Sequence, residues 1–511
     1  GNNRYDWAWI YEVHMLNRDY MYQCMYLYLA TGKRQYADYI RTMLLDYAGK
    51  YAGWFEHNSG RKATDQHSGK AFAQSLDEAN WATKVAMAYV AIKPVLSKEE
   101  VKAIEEGYLQ PAATLLLHRP AGANWQMWHN SGLAALGIAL ENDSIVDVAI
   151  NKDKYGYHYL IGKHKNSDGW INEGSPHYHY YPLEALLFTA NAVKCRGIKL
   201  FDKDLHDMFV EPVKGTYPDL SFPAHSDGWY GANLLSQSAL YEVGNARYND
   251  PFLKRVLELT YAQKKRLDPE ALLSNQLIKA SEESLLQKSY SFDTSGFCLL
   301  RSDTRTVVLK FGGEGIGHGH PDKLSITIHD GKNELVSDFG TSGYGVPDYL
   351  KWYKRTLSHN TVTVDAKDQK RSVGKLLKFN PRSDGGYAEA ETTTAYPGVR
   401  MKRSLDLKGT HLQDVYTCTS DSSHLYEYVI LFNEKPLMDG QPTATTLTGS
   451  EVHERIHNIF SYPHKSGFTC RTSSASVQFD IPEGEVMEVV LGEASGIPAN
   501  PTVKDGPGAG D

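Results

Sequence analysis

The sequence predicts a multidomain α+β protein, in which an N-terminal helical domain precedes a C-terminal antiparallel β-sandwich. Apolar residues recur at helical spacing through the first half of the 511 residues. From about Ser289 the pattern changes to period two, and Gly and Asp-Gly turns separate the short apolar stretches. The segment 267–287 is the predicted linker, so we expect domains at residues 1–285 and 286–511.

The helical half is predicted to contain successive helix pairs. Tyr36, Ile40, Met43 and Tyr47 form one such apolar stripe. Pro182 is placed at a helix start, because proline is tolerated in the first turn. Helix pairs joined by long loops favour an (α/α) toroid, an incomplete barrel, or an irregular helical array over a plain bundle. The predicted helices cover residues 19–30, 36–47, 79–96, 99–118, 133–140, 182–190 and 250–266.

The β half contains a hairpin with histidines at its mouth. His318 and His320 precede an alternating strand at 324–328, an Asp-Gly turn and a second strand that ends at Asp338. Antiparallel pairing can bring Asp338 back beside His320, and His359 follows just before another alternating stretch. Two imidazoles and a carboxylate suit zinc or a similar divalent ion. A hydrogen-bonded His/Asp network without metal is the alternative.

Composition excludes several function classes. The formal net charge of −7 gives no global basic field for nucleic acid. The five cysteines show no CxxC spacing, so neither a disulfide framework nor a thiolate zinc site is indicated. No apolar run approaches the 18 residues of a membrane span. The start of the chain has no signal-peptide pattern, and compartment cannot be read from it.

Two segments of the helical half are dense in functional groups, and each is predicted to lie just before a helix. The first is GANWQMWHNSG, residues 122–132, and the second is SDGWINEGSPHYHYYPL, residues 167–183. Loops at helix entrances line the cleft of a toroid. The alternative is that each is an aromatic packing loop with helix caps.

Amides, a tyrosine and a histidine without an evident carboxylate pair suit elimination next to a carboxylate. Removal of the C5 proton of a uronic acid requires neutralisation of its carboxylate, which an Asn amide and a histidine can provide. A base takes the proton and an acid protonates the departing O4. Glycoside hydrolysis would need two facing carboxylates, for which Asp168 and Glu173 are the nearest pair. A carbohydrate-binding module without catalysis is the third hypothesis.

Four motifs in order resemble the heparinase II/III-like superfamily of polysaccharide lyases, over about residues 120–511. They are NWQMWHN, DGWINEGSPHYHYYPL, HGHPDKLSITIHDG with SDFGTSGYG, and WYKRTLSHNTVTVD. The resemblance implies an α/α toroid followed by an antiparallel β-sandwich, β-elimination of uronate polysaccharides, and a periplasmic or secreted bacterial protein. It implies no organic cofactor, and it leaves oligomeric state open, a homodimer included.

The resemblance also implies residue roles. Tyr178 matches the catalytic tyrosine, Asn124 the amide that neutralises the substrate carboxylate, and His318 the histidine that assists it. His320, Asp338 and His359 match a structural metal triad, which we expect to hold zinc. Many relatives carry a histidine where this chain has Trp125. Either His129, one turn further on, replaces that base, or Tyr178 performs both proton transfers, which is the favoured interpretation.

Substrate contacts are predicted from polar and aromatic residues in the same motifs. An acidic polysaccharide or oligosaccharide is the expected partner, and heparin/heparan-type glycosaminoglycan is favoured slightly over alginate. Endo or exo action stays open. The predicted substrate-binding residues are Trp125, Gln126, Glu173, His179, Tyr353 and Arg355.

Overall fold

The computed structural model describes residues 4–58, 67–273, 277–281, 285, 288–313, 317–462, 467–481 and 487–498. The chain divides into two compact units. The first unit comprises residues 1–165, 180–210 and 237–282, and the second comprises 166–179, 211–236 and 283–511. The predicted boundary at 285 lies close to residue 283, where the last segment of the second unit begins. The segments 166–179 and 211–236 of the helical half belong to the second unit, together with Tyr178.

The helical half contains twelve α-helices within the described residues. They are α1 (Arg4–Thr31), α2 (Arg34–Tyr51), α3 (Ser75–Ile92), α4 (Lys98–Ile104), α5 (Gln110–Leu117), α6 (Ala123–Ala139), α7 (Asp143–Asn151), α8 (Tyr157–His164), α9 (His177–Val193), α10 (Lys203–Val213), α11 (Ser238–Tyr248) and α12 (Pro251–Gln263). The predicted helix at 99–118 is α4 and α5 joined by a π-helical turn, Glu105–Leu109. None of the described helices is both long enough and apolar enough to cross a membrane.

Two predicted helix starts were wrong. Helix α9 begins at His177 rather than at Pro182, which lies inside it. The Ser175 hydroxyl accepts a hydrogen bond from the N–H of Tyr178 at 3.3 Å, so a serine cap starts the helix earlier. Helix α6 likewise begins at Ala123. Both functional-group segments therefore run into the first turns of helices instead of stopping before them.

The second unit is built from antiparallel strands. The strands are β1 (Tyr290–Phe292), β2 (Phe297–Arg301), β3 (Thr306–Lys310), β4 (Ser325–His329), β5 (Glu334–Val336), β6 (Val362–Val364), β7 (Lys375–Arg382), β8 (Gly385–Tyr396), β9 (Val399–Lys408), β10 (His411–Ser420), β11 (Tyr426–Tyr428), β12 (Leu437–Met438), β13 (Thr443–Ala444), β14 (His457–Tyr462), β15 (Gly467–Arg471), β16 (Ser476–Asp480) and β17 (Val489–Glu493). The largest sheet has the order β10-β9-β8-β2-β3-β4-β5, with β1 beside β2 and β7 beside β8.

The predicted histidine hairpin is present as β4 and β5. Ile328 pairs with Val336 across the two strands. Strand β6, which follows His359, pairs with β11 in a separate two-stranded sheet. The alternating residues Leu309, Ile326 and Val362 all lie in one buried apolar cluster, as their period-two pattern predicts.

One buried arginine connects the strands to the segments that carry the histidines. Arg403 on β9 is fully buried, and its Nε lies 2.9 Å from Oδ1 of Asp414 on β10. Its Nη1 donates to the carbonyl oxygens of Leu324 at 2.7 Å and Asn360 at 2.6 Å. Asn360 directly follows His359. Arg403 therefore fixes the start of β4 and the backbone beside a predicted metal ligand.

Replacing Arg403 with leucine should lower the free energy of unfolding by about 3–5 kcal/mol, because it leaves Asp414 and two buried carbonyls without their partner. Urea denaturation measures this loss. Arg400→Leu on the same strand is the matched control, since the Arg400 side chain is exposed where it pairs with Glu391, and ion pairs at the surface contribute up to about 1 kcal/mol. Equal losses for the two variants would contradict the role of Arg403.

Candidate active site and metal site

Tyr178 lies in a hydrogen-bonded cluster within the second unit. Its ring stacks on the imidazole of His318, with centroids 3.5 Å apart and planes inclined by 13°. Its hydroxyl lies 2.6 Å from the hydroxyl of Tyr344. The Tyr344 hydroxyl in turn lies 2.8 Å from Nδ1 of His318. Two phenols and one imidazole thus share a continuous path for protons.

The carboxylate of Asp227 is the centre of this cluster. Its Oδ2 lies 2.9 Å from Nδ1 of His318 and accepts hydrogen bonds from the hydroxyls of Tyr344 and Tyr349, each at 3.0 Å. Its Oδ1 lies 3.0 Å from Nε2 of His320. One buried carboxylate therefore contacts both the predicted catalytic histidine and a predicted metal ligand.

Backbone contacts hold Asp227 in place. Its N–H donates to the carbonyl of His318 at 3.0 Å, and the carbonyl of Gly228 accepts from the N–H of Thr341 at 3.1 Å. Gly340 has a φ of +63°, and a Cβ there would lie 2.0 Å from the Gly228 oxygen. Only glycine fits this approach of the two backbones.

Burial raises the pKa values of the tyrosines in the cluster above their ordinary value. Burial raises the pKa of Tyr178 to about 12, although the hydrogen bond with Tyr344 opposes this. Burial and the neighbouring Tyr178 raise the pKa of Tyr344 well above its usual value. Burial alone would raise the pKa of the Asp227 carboxyl. The hydrogen bonds from His318 and His320 outweigh burial and hold this pKa below its usual value.

A group that can bind a metal lies beside the cluster. Among the described residues, one ligand atom each from His320, Asp322 and His359 lie within 4.8 Å of one another, and all three residues are buried. The sequence predicted Asp338 instead of Asp322. Asp338 Oδ2 lies 3.4 Å from Nδ1 of His359, and its Oδ1 accepts the N–H of Gly340 at 3.0 Å. Two carboxylates thus lie beside the two imidazoles.

The donor set fits a divalent ion. Within the described residues, Nδ1 of His320 and both ring nitrogens of His359 are buried without a hydrogen-bond partner. Buried polar atoms are rarely left in this state, and a metal ion would satisfy them. Asp322 pairs with Lys310 and Lys323, and despite burial these cations hold its pKa well below the usual range.

The predicted residues of α6 belong to the first unit and lie in its first two turns. Asn124 is buried there, and Trp125 packs edge-on against His67 with ring centroids 4.9 Å apart. Gln126 accepts from the N–H of Ala121 at 2.8 Å and donates to Asn130 at 2.9 Å. These bonds favour a positioning role for Gln126 within its own helix.

His129 is the predicted alternative base, and it is fully buried. Burial lowers its pKa to about 4, so it is neutral at neutral pH. A side chain without solvent exposure cannot reach a polymer without rearrangement. The structure therefore favours a core role for His129.

The predicted substrate-binding residues of the second unit have structural partners. Nδ1 of His179 accepts from the N–H of Ile171 at 3.2 Å, and the Tyr353 hydroxyl donates to the carbonyl of Gly496 at 3.0 Å. Arg355 binds Asp368 at 2.6 Å and Glu451 at 2.8 Å. These contacts favour positioning over substrate contact.

Of the two acids considered for hydrolysis, only Glu173 lies near the cluster. Its Oε2 is 3.7 Å from Nε2 of His318, on the other side of the ring from Asp227. Asp168 instead accepts from the N–H and the hydroxyl of Ser295 at 2.8 and 2.7 Å. Asp168 therefore holds a turn of the second unit.

Sequence reasoning missed Asp227, Tyr344 and Tyr349. Tyr344 lies within a motif already singled out, SDFGTSGYG, but nothing in its spacing indicated a contact with Tyr178, 166 residues away. Asp227 lies in HSDGWYG, a polar and aromatic segment like the two that were selected. Its density of functional groups was the available signal.

Comparisons with known proteins identify similar families, relatives and structures. Residues 285–474 match the family described as "Heparinase II/III-like, C-terminal", and residues 13–211 match the family described as "Alginate lyase". The chain is 29% identical to an alginate lyase of Stenotrophomonas maltophilia and 26% identical to an exo-oligoalginate lyase of Saccharophagus degradans, over 83% of its length in each case. It spans 63% and 64% of those two proteins.

A heparin-sulfate lyase of Bacteroides stercoris is 26% identical over 47% of the chain and 35% of its own length. Among solved structures, a heparan sulfate lyase of Pedobacter heparinus has a TM-score of 0.61 at 15% identity, covering 93% of this chain and 75% of that one. A heparinase III gene product has a TM-score of 0.59 at 16% identity, with coverages of 93% and 77%.

This likeness confirms the predicted fold class, an α/α toroid followed by an antiparallel β-sandwich. The chain is thus similar to one family over residues 13–211 and to the other over residues 285–474, which confirms the resemblance carried by its four motifs.

Proposed function

We propose that this chain catalyses β-elimination in a uronic-acid-containing polysaccharide, giving an unsaturated C4–C5 uronate end. The observation that supports this most strongly is the cluster of Tyr178, Tyr344, His318 and Asp227, because elimination requires proton transfers without a pair of reacting carboxylates. The chain covers less than two thirds of the two alginate lyase relatives, so the activity is inferred from the site.

Tyr178 is the proposed acid. Its raised pKa keeps the hydroxyl protonated, as donation to the departing O4 requires. Tyr178 also remains the favoured base, because His129 is fully buried. For that step Tyr178 acts from its phenolate form, after its own proton has passed to solvent, and the phenolate takes the C5 proton and gives that same proton to O4. The Tyr344 hydroxyl lies 2.6 Å away, and this contact lowers the pKa of Tyr178 against the effect of burial. His318 is proposed to neutralise the substrate carboxylate as charge develops, and the same role for Asn124 stays a prediction.

Hydrolysis is the weaker alternative. It would need two carboxylates on opposite sides of the scissile bond. Asp168 is engaged by Ser295, and Asp227 is surrounded by hydrogen-bond donors. Of these three described carboxylates, Glu173 is the one that stays a candidate, and one carboxylate does not make the required pair.

Alginate is the proposed substrate, ahead of heparin-type glycosaminoglycan. This reverses the slight preference drawn from the sequence. The alginate lyase relatives match 83% of the chain, whereas the heparin-sulfate lyase of Bacteroides stercoris matches 47%. We propose a periplasmic or secreted location, because the proposed substrate is a polymer. The homodimer stays a prediction.

Zinc is the proposed metal, held by His320 and His359 with Asp338 or Asp322. Two imidazoles and a carboxylate are a common zinc donor set. A zinc ion would supply fixed positive charge that orders the loops around these ligands. We propose a structural role, since the ligands are buried.

Ultraviolet absorbance during incubation with alginate, its two block types, heparin and heparan sulfate tests the proposed reaction. We expect absorbance to rise with alginate or one of its blocks, because the C4–C5 double bond is conjugated with the carboxylate. A flat trace accompanied by growing reducing ends would show hydrolysis and contradict the proposal.

Tyr178→Phe should abolish turnover and leave substrate binding intact, since it removes only the hydroxyl that transfers the proton. Initial rates and binding by calorimetry measure the two effects. Tyr180→Phe is the matched control, because the Tyr180 hydroxyl is buried against Tyr241 in the first unit. Wild-type-like turnover by Tyr178→Phe would remove Tyr178 from the mechanism.

His359→Ala should lower bound metal and the melting temperature together, because it removes a buried ligand. Elemental analysis and calorimetry measure these quantities, and prolonged chelation of the wild type should lower its melting temperature in the same way. His411→Ala, at an exposed position on β10, is the control. Unchanged metal content in His359→Ala would contradict the assigned site.

A further inference from the structure

We propose that Asp227 is a positioning residue that fixes the tautomers of a metal ligand and of the catalytic histidine at the same time. The part that concerns catalysis rests on the proposed function. The part that concerns the metal depends only on the donor set described above.

Asp227 determines which nitrogen of His320 carries the proton. Its Nε2 lies 3.0 Å from Oδ1 of Asp227, and a carboxylate can only accept, so this nitrogen carries the proton. The proton is therefore absent from Nδ1 of the neutral ring, which is the buried nitrogen without a partner. A histidine whose second nitrogen donates to a carboxylate is the usual arrangement around a protein metal ion.

Asp227 determines the position of the proton on His318 as well. Its Nδ1 lies 2.9 Å from Oδ2 of Asp227, so the same reasoning places the proton on Nδ1. Nε2 is then the ring nitrogen directed away from Asp227, and it lies 3.7 Å from Oε2 of Glu173. The stack on Tyr178 and the bond to Asp227 together fix the plane and the direction of this ring.

The position of Asp227 is determined by more than its hydrogen bonds. The preceding residue, Ser226, has a φ of +58°, a conformation that a non-glycine residue keeps only when its surroundings enforce it. The Ser226 hydroxyl accepts from Nζ of Lys310 at 2.7 Å, and Lys310 also pairs with Asp322. One connected network therefore runs from the metal ligands through Asp227 to Tyr178.

This arrangement makes metal binding and catalysis depend on one carboxylate. An amide at this position would keep the shape but present one acceptor and one donor. It could satisfy only one of the two histidine N–H groups, and the other ring would have to change its tautomer or rotate.

The test compares Asp227→Asn with Asp219→Asn, an exposed aspartate of the same segment that accepts from Ser221. We expect Asp227→Asn to bind zinc about 10–100-fold more weakly in a chelator competition and to lose kcat by a similar factor with little change in KM. Asp219→Asn should match the wild type in both. Unchanged zinc affinity and kcat in Asp227→Asn would overturn the proposal.

Histidine ring ¹⁵N spectra of the zinc-loaded wild type provide a readout that needs neither substrate nor a stable variant. We expect the proton on Nδ1 of His318 and on Nε2 of His320, and the opposite tautomers would overturn the proposal. If no polymer is cleaved, the proposed function fails, whereas zinc affinity and the spectra still decide whether Asp227 positions the two rings.

Discussion

The site of the second unit depends on one buried carboxylate that must be surrounded by donors. A buried charge costs several kcal/mol unless hydrogen bonds compensate it. Asp227 receives that compensation from His318, His320, Tyr344 and Tyr349. Because the donors come from two stretches of chain, 318–320 and 344–349, both distant in sequence from Asp227, stabilising this charge also assembles the groups of the cluster.

The sequence predicted the parts of the fold that depend on local pattern. Period-two alternation predicted β3, β4 and β6. The Asp-Gly turn predicted the hairpin of β4 and β5, and His318 and His320 come just before its first strand. Helix starts were less accurate, because the serine cap at Ser175 competes with the proline signal at Pro182. Local pattern also cannot show that residues 166–179 and 211–236 belong with the β strands.

In the site, too, local pattern identified some residues, and residues that meet only through long-range contacts were missed. His318, His320 and His359 stood out because they flank alternating strands that also carry a carboxylate, a combination that suits a divalent ion. Asp227 is 91 residues from His318 along the chain, and its role depends on a long-range contact that no spacing rule reports. Conversely, Arg355 looked suited to a carboxylate on chemical grounds, yet it already binds Asp368 and Glu451.

In the proposed function, Asp227 and Tyr344 together support proton transfer by Tyr178. A double-mutant cycle on kcat tests it most directly, using Asp227→Asn, Tyr344→Phe and the double variant on a cleaved polymer. Residues that act as a unit give strongly non-additive losses, so the double variant should be little slower than the slower single variant. Losses that multiply would show that the two residues act independently and would contradict the account.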